Sequence, residues 1–130
     1  PTVGDNRLRH ETLQRFMLAN DSVTVGVEIP IWLAGADIEA LEIEHGIRLH
    51  DGDGPQSLTG HIDFIQVRNG AVHILDYKPD ARTNKPIAQL TLYALALTRL
   101  AGLRLFDIKC AWFNEEQYCE FFPRALLARQ

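Results

Sequence analysis

The sequence contains few cysteines and no long hydrophobic segment. Only Cys110 and Cys119 occur among its 130 residues, which excludes a disulfide-rich secreted scaffold and a metal site built from four thiolates. The two cysteines could lie near each other across a hairpin, but two buried free thiols are the favoured interpretation. No apolar run approaches the roughly 20 residues of a membrane-spanning helix, and the first residues do not resemble a signal peptide. We therefore expect a cytoplasmic, intracellular protein with no membrane partner.

The chain also lacks an excess of basic residues. It has 13 Lys and Arg against 17 Asp and Glu, which gives a formal net charge of -4 at pH 7. A general nucleic-acid binder usually presents a basic surface to phosphates, so this charge weighs weakly against such a function. Metal-binding carboxylates would nevertheless raise the acidic count, and a small basic rim can coexist with an acidic whole.

The composition and length are those of one globular domain. Hydrophobic residues make up 46% of the chain and charged residues 23%, which is enough apolar material for a real core. A length of 130 residues is typical of a single domain, so we expect one domain over residues 1–130. The sequence has no initiator methionine, which is compatible with excision from a longer chain.

Hydrophobic periodicity predicts an α/β domain with a mixed central sheet flanked by helices. In order, the pattern indicates a helix over 5–20, strands over 23–33, 58–67 and 71–78, a helix over 86–101, strands over 105–113 and 117–122, and a short helix over 124–130. Residues 38–43 could form a short helix or a further strand. Because a hairpin precedes a helical crossover, the strand after the crossover can pair in parallel with the central strands.

Four local signals fix boundaries within this pattern. Pro30 predicts an edge position or a bulge, because proline cannot donate to a sheet ladder. Asn69 and Gly70 separate two apolar runs and predict a tight hairpin turn. Asn84 is a plausible cap for the helix over 86–101, and Gly102 is expected to end that helix.

Two carboxylates and a lysine stand in these strands at suggestive positions. If Asn69 and Gly70 are the turn residues, Asp63 lies opposite Asp76, with Cβ atoms roughly 4.5–5.5 Å apart. Like charges at that distance destabilise a sheet, and a cation between them would be a reason to keep them. Oxygen ligands without a thiolate or imidazole cluster favour Mg²⁺ or Mn²⁺.

Lys78 would share a face with Asp76, because the two are two residues apart on one strand. A charged lysine cannot be a metal ligand, but it can hold a water or a phosphate oxygen beside the metal. The alternative is an ordinary exposed ion pair at a strand end, with Asp63 a solvent-facing residue. The joint register of the three residues, in strands otherwise made of Ile, Val, Leu and Phe, favours the metal site.

An ordered set of short motifs resembles the RecB-like branch of the PD-(D/E)XK nucleases. The set consists of Glu28 in Val-Glu-Ile-Pro, Gly60-His-Ile-Asp63, Asp76-Tyr-Lys78, and Gln89 followed four residues later by Tyr93. Each motif is weak by itself, but the family has the same motifs in the same order. The resemblance implies a restriction-endonuclease-like core that hydrolyses DNA, single- or double-stranded, in repair or recombination.

The resemblance also implies roles for individual residues. Asp63, Asp76 and the Tyr77 backbone carbonyl would bind Mg²⁺ or Mn²⁺, and Lys78 would position and activate the attacking water. His10 matches an upstream histidine ligand of this branch, although a surface position is equally compatible with its surroundings.

Three further residues receive roles from the resemblance. Gln89 and Tyr93 would lie near the substrate backbone, one helical turn apart on one face. Glu28 would support the site or a second ion. With two cysteines in place of the four that cluster-bearing members use, no iron–sulfur cluster is expected.

Two other functions stay open at this stage. A catalytically silent module that keeps the fold for nucleic-acid binding or assembly would agree with the acidic charge. A metal-dependent enzyme acting on another phosphate ester has no positive support in the chain. A partner domain or subunit could supply additional grip on DNA.

Overall fold

A computed structural model describes residues 22–49, 57–80 and 86–127 of the chain. The helix expected over 5–20, with His10 on it, and the cap Asn84 lie outside the described residues. Within these ranges the elements are β1 (Ser22–Leu33), α1 (Gly35–His45), β2 (Leu58–Arg68), β3 (Ala71–Tyr77), α2 (Ile87–Ala101), a 3-10 turn (Leu105–Asp107), β4 (Ile108–Phe113), β5 (Tyr118–Phe121) and α3 (Pro123–Leu127).

The strands form one sheet in which spatial order follows chain order, β1-β2-β3-β4-β5. Neighbouring strands are antiparallel except β3 and β4, which are parallel because α2 carries the chain back across the sheet between them. The predicted α/β architecture with a mixed sheet and a parallel strand after the crossover is therefore confirmed.

The β2–β3 hairpin has the predicted turn. Arg68 pairs with Ala71, so Asn69 and Gly70 are the two loop residues, with φ angles of 51° and 76°. A two-residue loop with both φ angles positive matches the right-handed twist of the flanking strands, and Asn-Gly adopts it at little cost. This local chemistry fixes the register of the two strands that carry the candidate site.

β1 is an edge strand, as Pro30 predicted, but its face pattern differs from the sequence expectation. Simple alternation places Val27 and Leu33 on the same core face. Leu33 is fully buried, whereas Val27 is 59% exposed. The register against β2 shifts between Thr24 and Gly26, and Glu28 has a positive φ of 48°. A bulge and a left-handed residue both break the two-residue period, so the faces before and after them do not match.

The ambiguous segment after β1 is helical. α1 buries Ile38 and Leu41, while Ile43 is 76% exposed. The helix ends at Gly46, whose φ of 64° is the left-handed conformation that glycine adopts without strain.

α2 covers the core face of the sheet. Its buried residues occupy much of its circumference: Leu90, Tyr93, Ala94, Leu95, Ala96, Leu97 and Ala101. The helix contacts β4 directly, since the Cys110 thiol lies 3.6 Å from the Leu90 carbonyl oxygen. It ends at Gly102 as predicted, with a φ of 69°. None of the helices within the described ranges is long and apolar enough to cross a membrane.

The C-terminal half corrects one boundary and one burial prediction. Residues 105–107, expected to begin a strand, form a 3-10 turn in which the Arg104 side chain donates two hydrogen bonds to Asp107. Both cysteines are free as expected, but only Cys110 is buried and Cys119 is half-buried. Burial raises the pKa of the Cys110 thiol to about 12.

Candidate active site

Asp63 and Asp76 lie where two neighbouring strands separate. The last backbone pair between β2 and β3 is Phe64 with Leu75, so the next positions of the same register are Asp63 and Asp76. Here Asp63 Oδ2 accepts a hydrogen bond from the Tyr77 backbone N–H at 3.0 Å. β2 continues to pair with β1 beyond this point. The carboxylate of Asp63 thus lies in the fork between the diverging strands.

Asp76 is buried, and no other charged residue is buried among the described residues. Its side chain lies on the same face of the sheet as Ile74 and is only 10% exposed. Burial, the neighbouring Asp63 carboxyl and their mutual repulsion raise the pKa of Asp76 to about 6, against the lowering effect of Lys78. The Oδ2 atom of Asp76 is buried and accepts no well-directed hydrogen bond from the residues that the structure describes. An orphaned buried acceptor of this kind is costly unless another group compensates it.

Lys78 lies beside this carboxylate. Its Nζ atom is 3.3 Å from Asp76 Oδ2, which is an ion-pair distance. The lysine side chain is 23% exposed, so the ammonium lies at the boundary between the site and solvent. The predicted placement of Asp76 and Lys78 on one face is confirmed by this contact.

The donor set fits a hard divalent cation. The orphaned Asp76 Oδ2 and the raised pKa of Asp76 both describe a carboxylate that a positive charge would satisfy. No group of three or more His, Cys, Asp or Glu suited to a metal is present among the described residues. Mg²⁺ commonly keeps several waters and takes only one or two carboxylates from a protein, so two carboxylates and a backbone carbonyl suffice.

The turn between β4 and β5 holds the segment next to the site, through contacts that sequence reasoning missed. Residues 114–117 join β4 to β5, and the Asn114 side-chain amide donates to the Pro79 carbonyl oxygen at 3.2 Å. The Tyr77 hydroxyl donates to the Glu115 carboxylate. The Asn-Glu-Glu sequence predicts the turn itself, but no signal in the chain links it to residues so far away.

The likeness to known proteins agrees with this geometry. A family model for the PD-(D/E)XK nuclease superfamily matches residues 6–120. The chain belongs to the PD-(D/E)XK nuclease superfamily. No curated protein matches the chain. Proteins of this superfamily are usually nucleases and generally use divalent metals, and the mixed five-stranded sheet with helices is a restriction-endonuclease-like fold.

Three residues of the predicted motifs, Gly60, Gln89 and Tyr93, lie against one another. Gln89 and Tyr93 lie on one face of α2, and the Gln89 amide donates to the Tyr93 hydroxyl at 3.1 Å. A Cβ atom placed on Gly60 would lie 2.8 Å from the same hydroxyl. Glycine at position 60 therefore allows the tyrosine to pack against β2, which gives a steric reason for the glycine of the Gly-x-x-Asp motif.

Glu28 lies on β1 across from Asp63. The pairing of β1 with β2 includes Val27 with Phe64 and Ile29 with Ile62, and it omits the position between them. Glu28 is exposed and has the left-handed φ of 48°. This conformation costs a non-glycine residue roughly 1–2 kcal/mol, and such strain is found disproportionately at functional sites.

Proposed function

We propose that this chain is a divalent-metal-dependent DNA nuclease that hydrolyses phosphodiester bonds. The proposal covers a single nuclease domain over residues 1–130, acting inside the cell and belonging to the RecB-like branch of the superfamily. The observation that carries it is the buried Asp76 carboxylate, which lies next to Asp63 in register and forms an ion pair with the Lys78 ammonium at 3.3 Å.

Asp63, Asp76 and the Tyr77 carbonyl are the groups that would hold the metal. A bound Mg²⁺ or Mn²⁺ would supply a Lewis acid for the scissile phosphate and lower the pKa of a coordinated water. The hydrogen bond from the Tyr77 N–H to Asp63 orients that carboxylate. The low exposure of Asp76 restricts competition from bulk water for its oxygens.

Lys78 is the proposed catalytic residue outside the metal ligands. Its ammonium can hold a phosphate oxygen or the attacking water and stabilise the negative charge that develops on the phosphate. Its ion pair with Asp76 keeps the ammonium within reach of any group bound by that carboxylate.

The remaining roles follow the family resemblance. Gln89 and Tyr93 would contact the substrate backbone from α2, and Glu28 would support the site or a second ion. His10 would add a ligand from the N-terminal segment. A partner domain or subunit would supply the extended DNA grip that the net charge of -4 does not provide.

The competing function is a catalytically silent nuclease-fold module for nucleic-acid binding or assembly. The acidic net charge favours it only in part, because an acidic surface also weakens binding to DNA. The candidate ligands Asp63 and Asp76 argue against it, since a silent module has no use for two adjacent carboxyl groups of which one is buried.

Cleavage of end-labelled single- and double-stranded DNA in Mg²⁺ or Mn²⁺ tests the proposal. Lys78→Met should abolish cleavage while leaving calorimetric Mn²⁺ binding intact or slightly tighter, because it removes a positive charge beside the metal. Asp76→Asn should abolish both cleavage and metal binding.

Lys109→Met is the matched control for Lys78→Met. Lys109 lies on the neighbouring strand, forms an ion pair with Glu120 at 2.6 Å and has a side chain 21% exposed, close to the 23% of Lys78. The Lys109→Met variant should cleave DNA like the wild type. Absence of both cleavage and metal binding in the wild type would reject the nuclease and support the silent module.

A further inference from the structure

The turn between β4 and β5 is bonded to the strand end that carries Lys78. β3 ends at Tyr77, so Lys78 is the first residue beyond the strand. Its backbone N–H donates to the Phe113 carbonyl oxygen at 2.9 Å. The Asn114 amide then reaches the Pro79 carbonyl oxygen at 3.2 Å, and Glu115 accepts from the Tyr77 hydroxyl. Hydrogen bonds thus join residues 77–79 to residues 113–115, one for each residue.

The turn is itself well braced. Asn114 Oδ1 accepts hydrogen bonds from the backbone N–H groups of Glu116 and Gln117, each at 2.8 Å. The Asn114 backbone N–H donates to the Gln117 carbonyl oxygen at 3.0 Å. An asparagine that caps its own turn in this way leaves its side-chain amide group free to bond elsewhere. Here that group bonds to Pro79.

The aromatic ring of Tyr77 adds a second anchor. It lies on the sheet face opposite the carboxylates, and its centroid is 5.7 Å from that of Phe113 in an edge-to-face arrangement. The ring of Phe64 also packs on Phe113, with a centroid distance of 6.1 Å. The backbone of Tyr77 therefore contributes to the candidate metal site on one face, while its side chain is fixed by packing and by Glu115 on the other.

We propose that Asn114 and Glu115 are positioning residues that hold the segment 77–79 so that the Lys78 ammonium stays at the metal-binding carboxylates. This inference rests on the proposed function. Asp63 and Asp76 lie on the β2–β3 hairpin, and the β4–β5 turn does not set the register of that hairpin. Loss of the contacts made by the β4–β5 turn should therefore displace the lysine more than the metal. A displacement of about 1 Å at a reacting group can reduce a rate 100-fold.

Asn114→Asp, Tyr77→Phe and Glu115→Ala are the informative variants. Asn114→Asp keeps Oδ1 and so keeps the turn, but it replaces the donor to Pro79 with a carboxylate oxygen. Tyr77→Phe keeps the ring and the backbone carbonyl and removes only the hydroxyl. Glu115→Gln keeps an acceptor for that hydroxyl and should recover most of what Glu115→Ala loses.

Tyr118→Phe is the matched control. Tyr118 is an exposed tyrosine on the same face of the sheet, and its hydroxyl interacts with the Glu120 carboxylate, as the hydroxyl of Tyr77 does with Glu115. It lies on β5 and, within the described part of the chain, forms no hydrogen bond with residues 77–79. Its cleavage kinetics should match those of the wild type.

We expect each of the three informative variants to lower kcat for DNA cleavage about tenfold. KM, the Mn²⁺ dissociation constant and Tm should stay close to the wild-type values. A merely structural role would instead lower Tm and metal affinity together with kcat. Unchanged kcat in both Asn114→Asp and Tyr77→Phe would overturn the proposal.

A second readout works even without nuclease activity. Reductive methylation followed by mass spectrometry measures how fast the Lys78 amine reacts in the metal-free protein, with Lys109 as an internal reference. Release of Lys78 from Asp76 should speed its modification severalfold in Asn114→Asp and Tyr77→Phe, and not in Tyr118→Phe. Equal rates in all variants would reject the positioning role whether or not the chain cleaves DNA.

Discussion

The Asp63 side chain accepts a hydrogen bond from the backbone N–H of Tyr77, at 3.0 Å, where the ladder between their strands has just ended. The bond connects two of the groups proposed to hold one cation. It also places Asp63 beside Asp76, whose pKa is raised by burial and by this neighbour. A fold that brings two carboxylates together in this way is destabilised without a cation.

Asp76→Asn should stabilise the metal-free protein. Raising the pKa of Asp76 from 3.8 to about 6 means that the folded state disfavours the ionised carboxylate. At 1.36 kcal/mol per pKa unit, the cost at pH 7 approaches about 3 kcal/mol, and the neutral amide removes it. Urea denaturation in EDTA should show the variant more stable than the wild type by about 1–3 kcal/mol at pH 7.5.

The difference in stability between the wild type and Asp76→Asn should depend on pH. A carboxyl with a raised folded pKa lets the folded state bind more protons than the unfolded state between pH 3.8 and about 6. The wild type should therefore lose stability relative to Asp76→Asn as the pH rises through this window, and the two should converge near pH 4. Mn²⁺ at about 1,000 times its Kd should reverse the order at pH 7.5, since a ligand at that concentration stabilises by about 4.1 kcal/mol. A wild type more stable than the variant in EDTA would contradict the strained carboxylate pair.

Gly60→Ala should destabilise the fold through Tyr93. The added Cβ would lie 2.8 Å from the Tyr93 hydroxyl oxygen and 3.0 Å from Cε1, and this tyrosine is only 8% exposed. Overpacking a well-packed site typically costs 1–3 kcal/mol. Tyr93→Phe removes the nearest atom, so Gly60→Ala should cost at least about 0.5 kcal/mol less in that background. Denaturant unfolding measures the free energy of unfolding of each variant. If the losses from Gly60→Ala and Tyr93→Phe simply add in the double mutant, the contact with the Tyr93 hydroxyl does not cause the destabilisation.

At position 28 we expect glycine to be more stable than alanine, which is the reverse of their usual order in a strand. In a strand interior, glycine is less stable than alanine by roughly 0.5–1 kcal/mol. At a φ of 48°, alanine meets the left-handed penalty and glycine does not. Glu28→Gly should therefore be more stable than Glu28→Ala by about 0.5–1 kcal/mol.

The same pair of variants separates the backbone of Glu28 from its carboxylate. If the carboxylate supports the site, cleavage should fall equally in Glu28→Gly and Glu28→Ala despite their different stabilities. Activity that follows stability instead would assign the effect to the strand geometry. Glu28→Gln then tests whether a neutral side chain of the same shape retains function.

Much of the fold could be predicted because its signals are local. The Asn69-Gly70 turn sets the register of β2 and β3, and from it follows the placement of Asp63 opposite Asp76. Gly102 ends α2 because left-handed φ values are nearly free for glycine. The face pattern of β1 could not be predicted, since the bulge near Gly26 and the left-handed Glu28 interrupt an alternation that the sequence presents as regular.

The sequence by itself determined which groups could form a site: two carboxylates and a lysine at spacings that strand periodicity and a two-residue turn convert into proximity. Only the tertiary structure decided how deeply Asp76 is buried, that Gly60 lies against Tyr93, and that Asn114 reaches Pro79. The reason is physical. Spacing along the chain fixes neighbours through backbone geometry, whereas burial and contacts between distant segments depend on how the helix and the β4–β5 turn pack against the sheet.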